Sequence, residues 1–201
     1  MNGGRQDRIT GVAALSVTHR ERLEKKQMNM ARLELYLPYL AKWEGQKANH
    51  PADRGGLTVK GVTLPTLRQL HPEAGKAELE TIDEKTWKEI VERLFWQRWQ
   101  ADRISSQSVA EMLVDWTWMS GSRGIVLPQT LLRVKPDGIV GPETLEAVNT
   151  SNPEKLFSRL RESRRRFYMR LVQHTPRQRC FLNGWLRRLD DLTFKDEAQA
   201  C

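Results

Sequence analysis

Apolar and polar positions fall into helical registers over most of the chain. In "ARLELYLPYLAKWEG", Leu33, Leu37, Leu40 and Trp43 or Glu44 recur at helical spacing, with Gly45 placed as a C-terminal cap. Pro38 suits an early turn better than an interior, so the regular helix is expected from near Leu35. "TLPTLRQLHP" reads as a short helix opened by Thr63, with Pro65 in its first turn. "TIDEKTWKEIVERLFWQRWQADRI" predicts one longer amphipathic helix, striped by Trp87, Ile90, Val91, Leu94, Phe95 and Trp99. A third strong helix in "SVAEMLVDWTWMSGSRG" ends at Gly121 or Gly124. "VLPQTLLRVKPDGIVGPETLEAVN" reads as a helix, a Pro-Asp-Gly turn and a helix from Pro142. Asn152 caps a long basic helix, and "RCFLNGWLRRLDDLT" forms a final helix or pair of turns. Beyond two or three residues of one Gly-rich loop, no segment alternates like a strand. The fold class expected is mainly α.

That loop, in "WEGQKANHPADRGGLTVKGVT", interrupts the pattern. It follows Glu44 at a predicted helix end, where the macrodipole disfavours a negative charge. It carries a second carboxylate, Asp53, then Gly55, Gly56 and Thr58. Cleaving a glycosidic bond needs a proton donor and a second group on the other sugar face. Glu44 suits the donor, Asp53 the second group, and Thr58 could hold a water or orient Asp53. Gly55 and Gly56 would let the backbone turn sharply beside a ligand. On spacing alone, a helix cap followed by an ordinary polar loop explains the same residues.

Composition narrows the classes. The chain has 201 residues, room for one domain or two small lobes sharing a core. Its apolar runs fall far short of the ~18 residues of a membrane span. The formal charge of +8 favours polyanionic partners, whether nucleic acid, anionic membrane or wall polymer, without choosing among them. Two cysteines exclude a disulfide framework; Cys180 reads as a core thiol and Cys201 as a tail thiol. The first 27 residues lack a strong signal-peptide core and read as a flexible extension, upstream of a start at Met28 or Met30. His50 and His71 lack a metal-like partner set, so neither metal nor cofactor is expected. Trp87, Trp96 and Trp99 read as core; Trp116, Trp118 and Trp185 are open. Asp115 lies on an otherwise buried helix, where it either lines a cleft or holds the fold through an Arg, the second being favoured. The run Arg164, Arg165 and Arg166 reads as a solvated helix face, compatible with nucleic acid or peptidoglycan.

Three ordered blocks resemble glycoside hydrolase family 108, the N-acetylmuramidases also described as secretion activators. Glu44, Gly45, Asp53, Gly55, Gly56, Thr58, Gly61 and Thr63 fall on the family's opening motif, with Gln46 in place of a Gly and Val62 in place of an Ile. The order Glu, Asp, Thr is also similar to the triad of phage-type lysozymes. Asp137, Gly138, Gly141, Pro142, Thr144 and Leu145 match the hallmark of the family's peptidoglycan-binding domain. Arg166, Tyr168, Phe181, Gly184, Trp185 and Arg188 match its closing pattern, with Arg187 where an Asn is expected.

The resemblance implies a lysozyme-like, two-lobed helical fold with little or no β structure. It implies an extension over 1–29, a catalytic lobe over 30–105, a peptidoglycan-binding lobe over 106–192 and a tail over 193–201. The activity implied is cleavage of the β-1,4 bond between N-acetylmuramic acid and N-acetylglucosamine. Glu44 is then the general acid, with Asp53 and Thr58 in support. Gly55, Gly56, Thr63, Asp115, Asp137 and Trp185 are the expected substrate-binding residues. A monomer that binds peptidoglycan strands, with no specific nucleic acid, is expected. Without a clear signal peptide, it would be made in the bacterial cytoplasm and act in the periplasm or wall. The competing reading is a non-catalytic wall-binding or secretion-assisting module.

Overall fold

Leu33, Tyr36 and Leu40 share one face of helix α1 (Leu33–Trp43), and all three are buried. In this computed structural model residues 30–45, 47–48 and 57–196 are described, 47–48 by their backbone alone. The chain divides into Met1–Met30 and Ala31–Cys201. Of the first unit only Met30 is described, and the architecture below is that of the second. The expected N-terminal extension, Gln46, His50, Asp53, Gly55, Gly56 and Cys201 lie outside the described residues.

The structure corrects the start of α1, which includes Pro38 in its interior. A proline there costs roughly 3 kcal/mol. Burying Leu33, Tyr36 and Leu40 recovers about 1.5–3 kcal/mol per side chain, which outweighs the lost bond.

Three two-residue strands follow: β1 (Lys47–Ala48), β2 (Thr58–Val59) and β3 (Val62–Thr63), antiparallel in that order. Lys60 and Gly61 join β2 to β3 with φ of 47° and 76°. Positive φ at both central residues makes this a type I′ turn, whose twist matches the strands it joins. Thr63 then accepts a hydrogen bond from the Thr66 backbone N–H and opens α2 (Leu64–Leu67).

After α3 (Lys76–Glu80), Asp83 caps α4 (Glu84–Val91) by accepting from the Thr86 backbone N–H. The single long helix expected here is not continuous. A π turn spans Glu92–Trp96, 3-10 turns span Gln97–Trp99 and Ala101–Arg103, and Gln100 between them is left-handed. A regular helix, at ~100° per residue, would place Trp96 opposite Trp87. The wider π turn brings the chain round so that Trp87, Trp96 and Trp99 are all buried. All three expected core tryptophans are therefore interior.

Helix α5 (Gln107–Ser120) is the hub, buried almost all round from Gln107 to Thr117. It packs against α6 (Arg123–Leu132), α8 (Pro153–His174) and the π turn. A Cβ on Gly124 would lie 2.6 Å from the Trp116 carbonyl carbon, so glycine sets how closely α6 approaches α5. Between α6 and α7 (Pro142–Thr150), the buried Gln129 organises the Asp-Gly turn. Its amide donates to Asp137 Oδ1, the Ile139 carbonyl and Thr144 Oγ1, while its carbonyl accepts from Gly138 N–H. A 3-10 stretch (Pro176–Phe181) leads into α9 (Leu182–Asp191). Cys180, expected in the core, is exposed on that stretch. One apolar core runs from Ala31 to Leu192. No helix among the described residues is long and apolar enough to cross a membrane.

Candidate active site

Glu44 is the residue at which the chain leaves α1. Its N–H still bonds the Leu40 carbonyl, but its own backbone is extended. Glu44 is therefore the C-cap residue rather than part of the last turn, and neighbours from two other helices fix its carboxylate. Trp118 Nε1, near the end of α5, donates to Glu44 Oε1 at 2.7 Å. Arg188 Nη1, on α9, donates to the same oxygen at 2.6 Å. Among the described residues, both hydrogen bonds fall on Oε1. Oε2 rests against the β2–β3 turn, where a Cβ on Gly61 would overlap it and lie 2.6 Å from both Glu44 Cδ and Trp118 Cζ2. Phe95 from the π turn backs the indole of Trp118, with ring centroids 4.6 Å apart. Glu44 keeps 11% of its side-chain exposure, so it is held on most sides and open on one.

Behind Glu44 the charges alternate. Arg188 Nη2 donates to Asp115 Oδ1 at 2.6 Å, and Arg164 Nη2 donates to Asp115 Oδ2 at 2.6 Å. The Tyr36 hydroxyl also donates to Asp115 Oδ1, and Arg164 Nε donates to the Tyr168 hydroxyl. Two carboxylates and two guanidiniums thus balance in a site where Asp115 and Arg164 are fully buried. Burial opposes ionisation of Asp115, but Arg188 and Arg164 outweigh it and hold the carboxyl below its ordinary range. Burial first, then the Asp115 charge, pushes the Tyr36 hydroxyl well above its ordinary value, so Tyr36 stays a neutral donor. Asp191 ties α9 back to α1, accepting from Lys42 Nζ at 2.6 Å and Trp43 Nε1 at 2.7 Å.

Asp115 is at the centre of this cluster with no exposed surface. The expectation that Asp115 touches substrate is corrected: it is sealed from solvent and holds the fold through Arg188 and Arg164, the reading the sequence favoured. The Arg run, expected as a solvated helix face, is corrected at Arg164 alone, while Arg166 is exposed and Arg165 partly so. Arg164 is interior, Arg165 pairs with Asp190, and Arg166 pairs with Glu162 at 3.0 Å. A buried carboxylate 49 residues away accounts for Arg164, which no local pattern could show.

Thr58 on β2 stands opposite Thr63 on β3, in the sheet whose turn touches Glu44. Asp137 sits in its own turn, accepting from the Ile139 N–H and from Gln129, and shares no hydrogen bond with the Glu44 cluster among the described residues. Those bonds, the Ile139 N–H foremost, hold its carboxyl below the ordinary range. Trp185 is half-buried, packed between Tyr168 and Phe181 at centroid distances of 5.3 and 5.9 Å. Trp118 and Gln129 went unassigned in the sequence. One signal for Trp118 was present: it lies one helical turn after Asp115.

Gly61→Ala tests the close approach. The added methyl meets the catalytic candidate itself, in a turn where L residues are strained. Glycan cleavage is expected to fall at least ~10-fold, because displacements of about 1 Å cost up to 10²-fold. A lysis assay on purified sacculi checks this; full activity would place Glu44 elsewhere.

Residues 37–121 match the family described as Glycosyl hydrolase 108, and residues 123–190 match the Predicted Peptidoglycan domain. The solved structure of Brucella abortus SagA is similar, with a TM-score of 0.71 and 24% identity over 83% of this chain and 92% of that one. Likeness at that identity bears on the fold. No curated protein sequence matches the chain. Glu44 and Trp118 come from the first matched segment and Arg188 from the second, so both segments build the site.

Proposed function

We propose that this chain, which belongs to the glycosyl hydrolase 108 family through residues 37–121 and carries a predicted peptidoglycan domain after them, cuts the β-1,4 bond between N-acetylmuramic acid and N-acetylglucosamine. The two matched segments support a glycoside hydrolase acting on peptidoglycan; the bond and the residue roles are our reading. The observation that carries them is the asymmetric anchoring of Glu44. Oε1 is taken by Trp118 and Arg188, which leaves Oε2 as the oxygen that takes up a proton and passes it to a glycosidic oxygen. When that proton leaves, the new carboxylate charge meets a guanidinium and an indole N–H already in place, with no reorganisation at the moment of reaction. Gly61 keeps the backbone low beneath the reacting oxygen.

The second group belongs to the loop after α1. Asp53, together with Thr58, places a water or stabilises the positive charge that develops on the sugar. The bacterial wall is where this substrate lies, and the periplasm or wall is the proposed place of action. Purified protein is expected to clear a gel cast with sacculi; an intact gel would sink the hydrolase reading.

A further inference from the structure

A groove with a cationic rim lies between α6 and α8, away from the Glu44 cluster. Two adjoining hollows of about 650 and 600 Å³ share Leu127 and Arg170. Phe167 and Leu171 line the first, and Leu131 the second, giving an apolar floor. Arg123, Arg159, Arg166, Arg170 and His174 stand around it. The acidic lining residue is Glu162, and it is already paired with Arg166. Arg159 donates to the Leu131 carbonyl at the end of α6. Arg123 leans over the Phe167 ring, and neither Arg123 nor Arg170 has a carboxylate partner among the described residues. All these residues fall within the segment matched to the Predicted Peptidoglycan domain.

We infer that this groove binds the acidic stem peptide of peptidoglycan, while the Glu44 site takes the glycan strand. The inference rests on the peptidoglycan reading above and deepens it. Charge complementarity selects the occupant. The sugar backbone of peptidoglycan offers hydroxyls and amides, whereas its stem peptides offer carboxylates spaced by alanine methyls. Planar guanidiniums match carboxylates in two-pronged geometry, and a floor of Leu, Phe and Leu suits methyl groups. Phe167 also packs against Trp116, with centroids 6.3 Å apart, on the helix that carries Trp118 two residues later. Phe167 in the groove floor thereby packs directly on the helix that carries the Glu44 anchor.

The probe is a synthetic tetrapeptide of the acidic stem type (N-acetylalanine, γ-linked glutamate, diaminopimelate, alanine; net negative at neutral pH), titrated calorimetrically into the full chain. A second arm uses the same peptide with its carboxylates amidated, and a third a short duplex DNA. The variant is Arg123→Gln with Arg170→Gln, two exposed positions whose replacement leaves the melting temperature unchanged. Wild-type protein binds the acidic peptide, and affinity falls at least about tenfold on amidation and in the double variant, as expected for charge-assisted hydrogen bonds. Cleavage of peptide-free glycan chains is the same in both proteins. Wild-type protein that ignores the peptide, binds its amide equally well, or prefers DNA overturns the inference, as does undiminished peptide affinity in the double variant. Glycan cleavage is scored separately, so failure of the hydrolase reading is told apart from failure of peptide binding.

Discussion

Glu44→Gln is expected to abolish clearing of sacculi while leaving the chain folded but less stable. The amide oxygen can take the place of Oε1 and keep the bonds from Trp118 and Arg188, so the side chain stays where it is. What it loses is the proton, and a general acid contributes typically ~10²–10⁴-fold. The loop motif alone suggests that this isosteric change is silent for stability. The structure says otherwise, because Arg188 would keep one of its two carboxylate partners. Breaking a fully buried pair costs about 3–5 kcal/mol. With the hydrogen bonds kept and one side of Glu44 in water, about 1–2 kcal/mol is expected, or roughly 2–8 °C in melting temperature for a chain of this size. Retention of a third of the activity would remove Glu44 from the mechanism, and an unchanged melting temperature would remove the ion pair from the account.

The largest loss of stability is expected from Asp115→Ala. It strips both guanidiniums of a shared partner, leaving Arg164 buried with no carboxylate and Arg188 with Glu44 alone. The expected cost is about 3–5 kcal/mol, a fall of roughly 6–20 °C on thermal melting. Adding Arg164→Met to Asp115→Ala should recover part of it, since the pair is then replaced rather than broken. The pH dependence follows from the direction of the shift. Asp115 is held below the ordinary carboxyl range in the folded chain, so its contribution is complete above the unfolded value of about 4. It is lost as the pH falls through the folded value, and Asp115→Ala should flatten that acid limb. A single variant as stable as wild type would show that the buried ions carry no weight.

Much of this arrangement was legible in the residue pattern. Apolar spacing located α1, α4, α5 and α8, because an amphipathic stripe is a local property. The Gly-rich loop announced a special backbone, and Gly61 proves to be a position that contacts Glu44 directly. What stayed hidden depends on distance along the chain. Arg188 is 144 residues from Glu44, and Arg164 is 49 from Asp115. A run of three arginines looks uniform in sequence, yet once α8 is docked Arg164 and Arg165 meet carboxylates of other helices, while Arg166 pairs within α8 with Glu162 four residues earlier. The π turn was equally out of reach, since it answers a tertiary demand to bury Trp96 and Trp99 beside Trp87. Pro38 within α1 is another tertiary override, in which packing outweighs propensity.

The most direct test of the central claim reads the chemistry of the cut. Purified sacculi are digested with wild-type protein, with Glu44→Gln as the blank, and the fragments are reduced with borohydride and separated by mass. The account predicts new reducing ends at N-acetylmuramic acid, recovered as muramitol, in the wild-type digest and none in the blank. Reduced N-acetylglucosamine ends, or equal numbers of muramitol ends from Glu44→Gln, would contradict it.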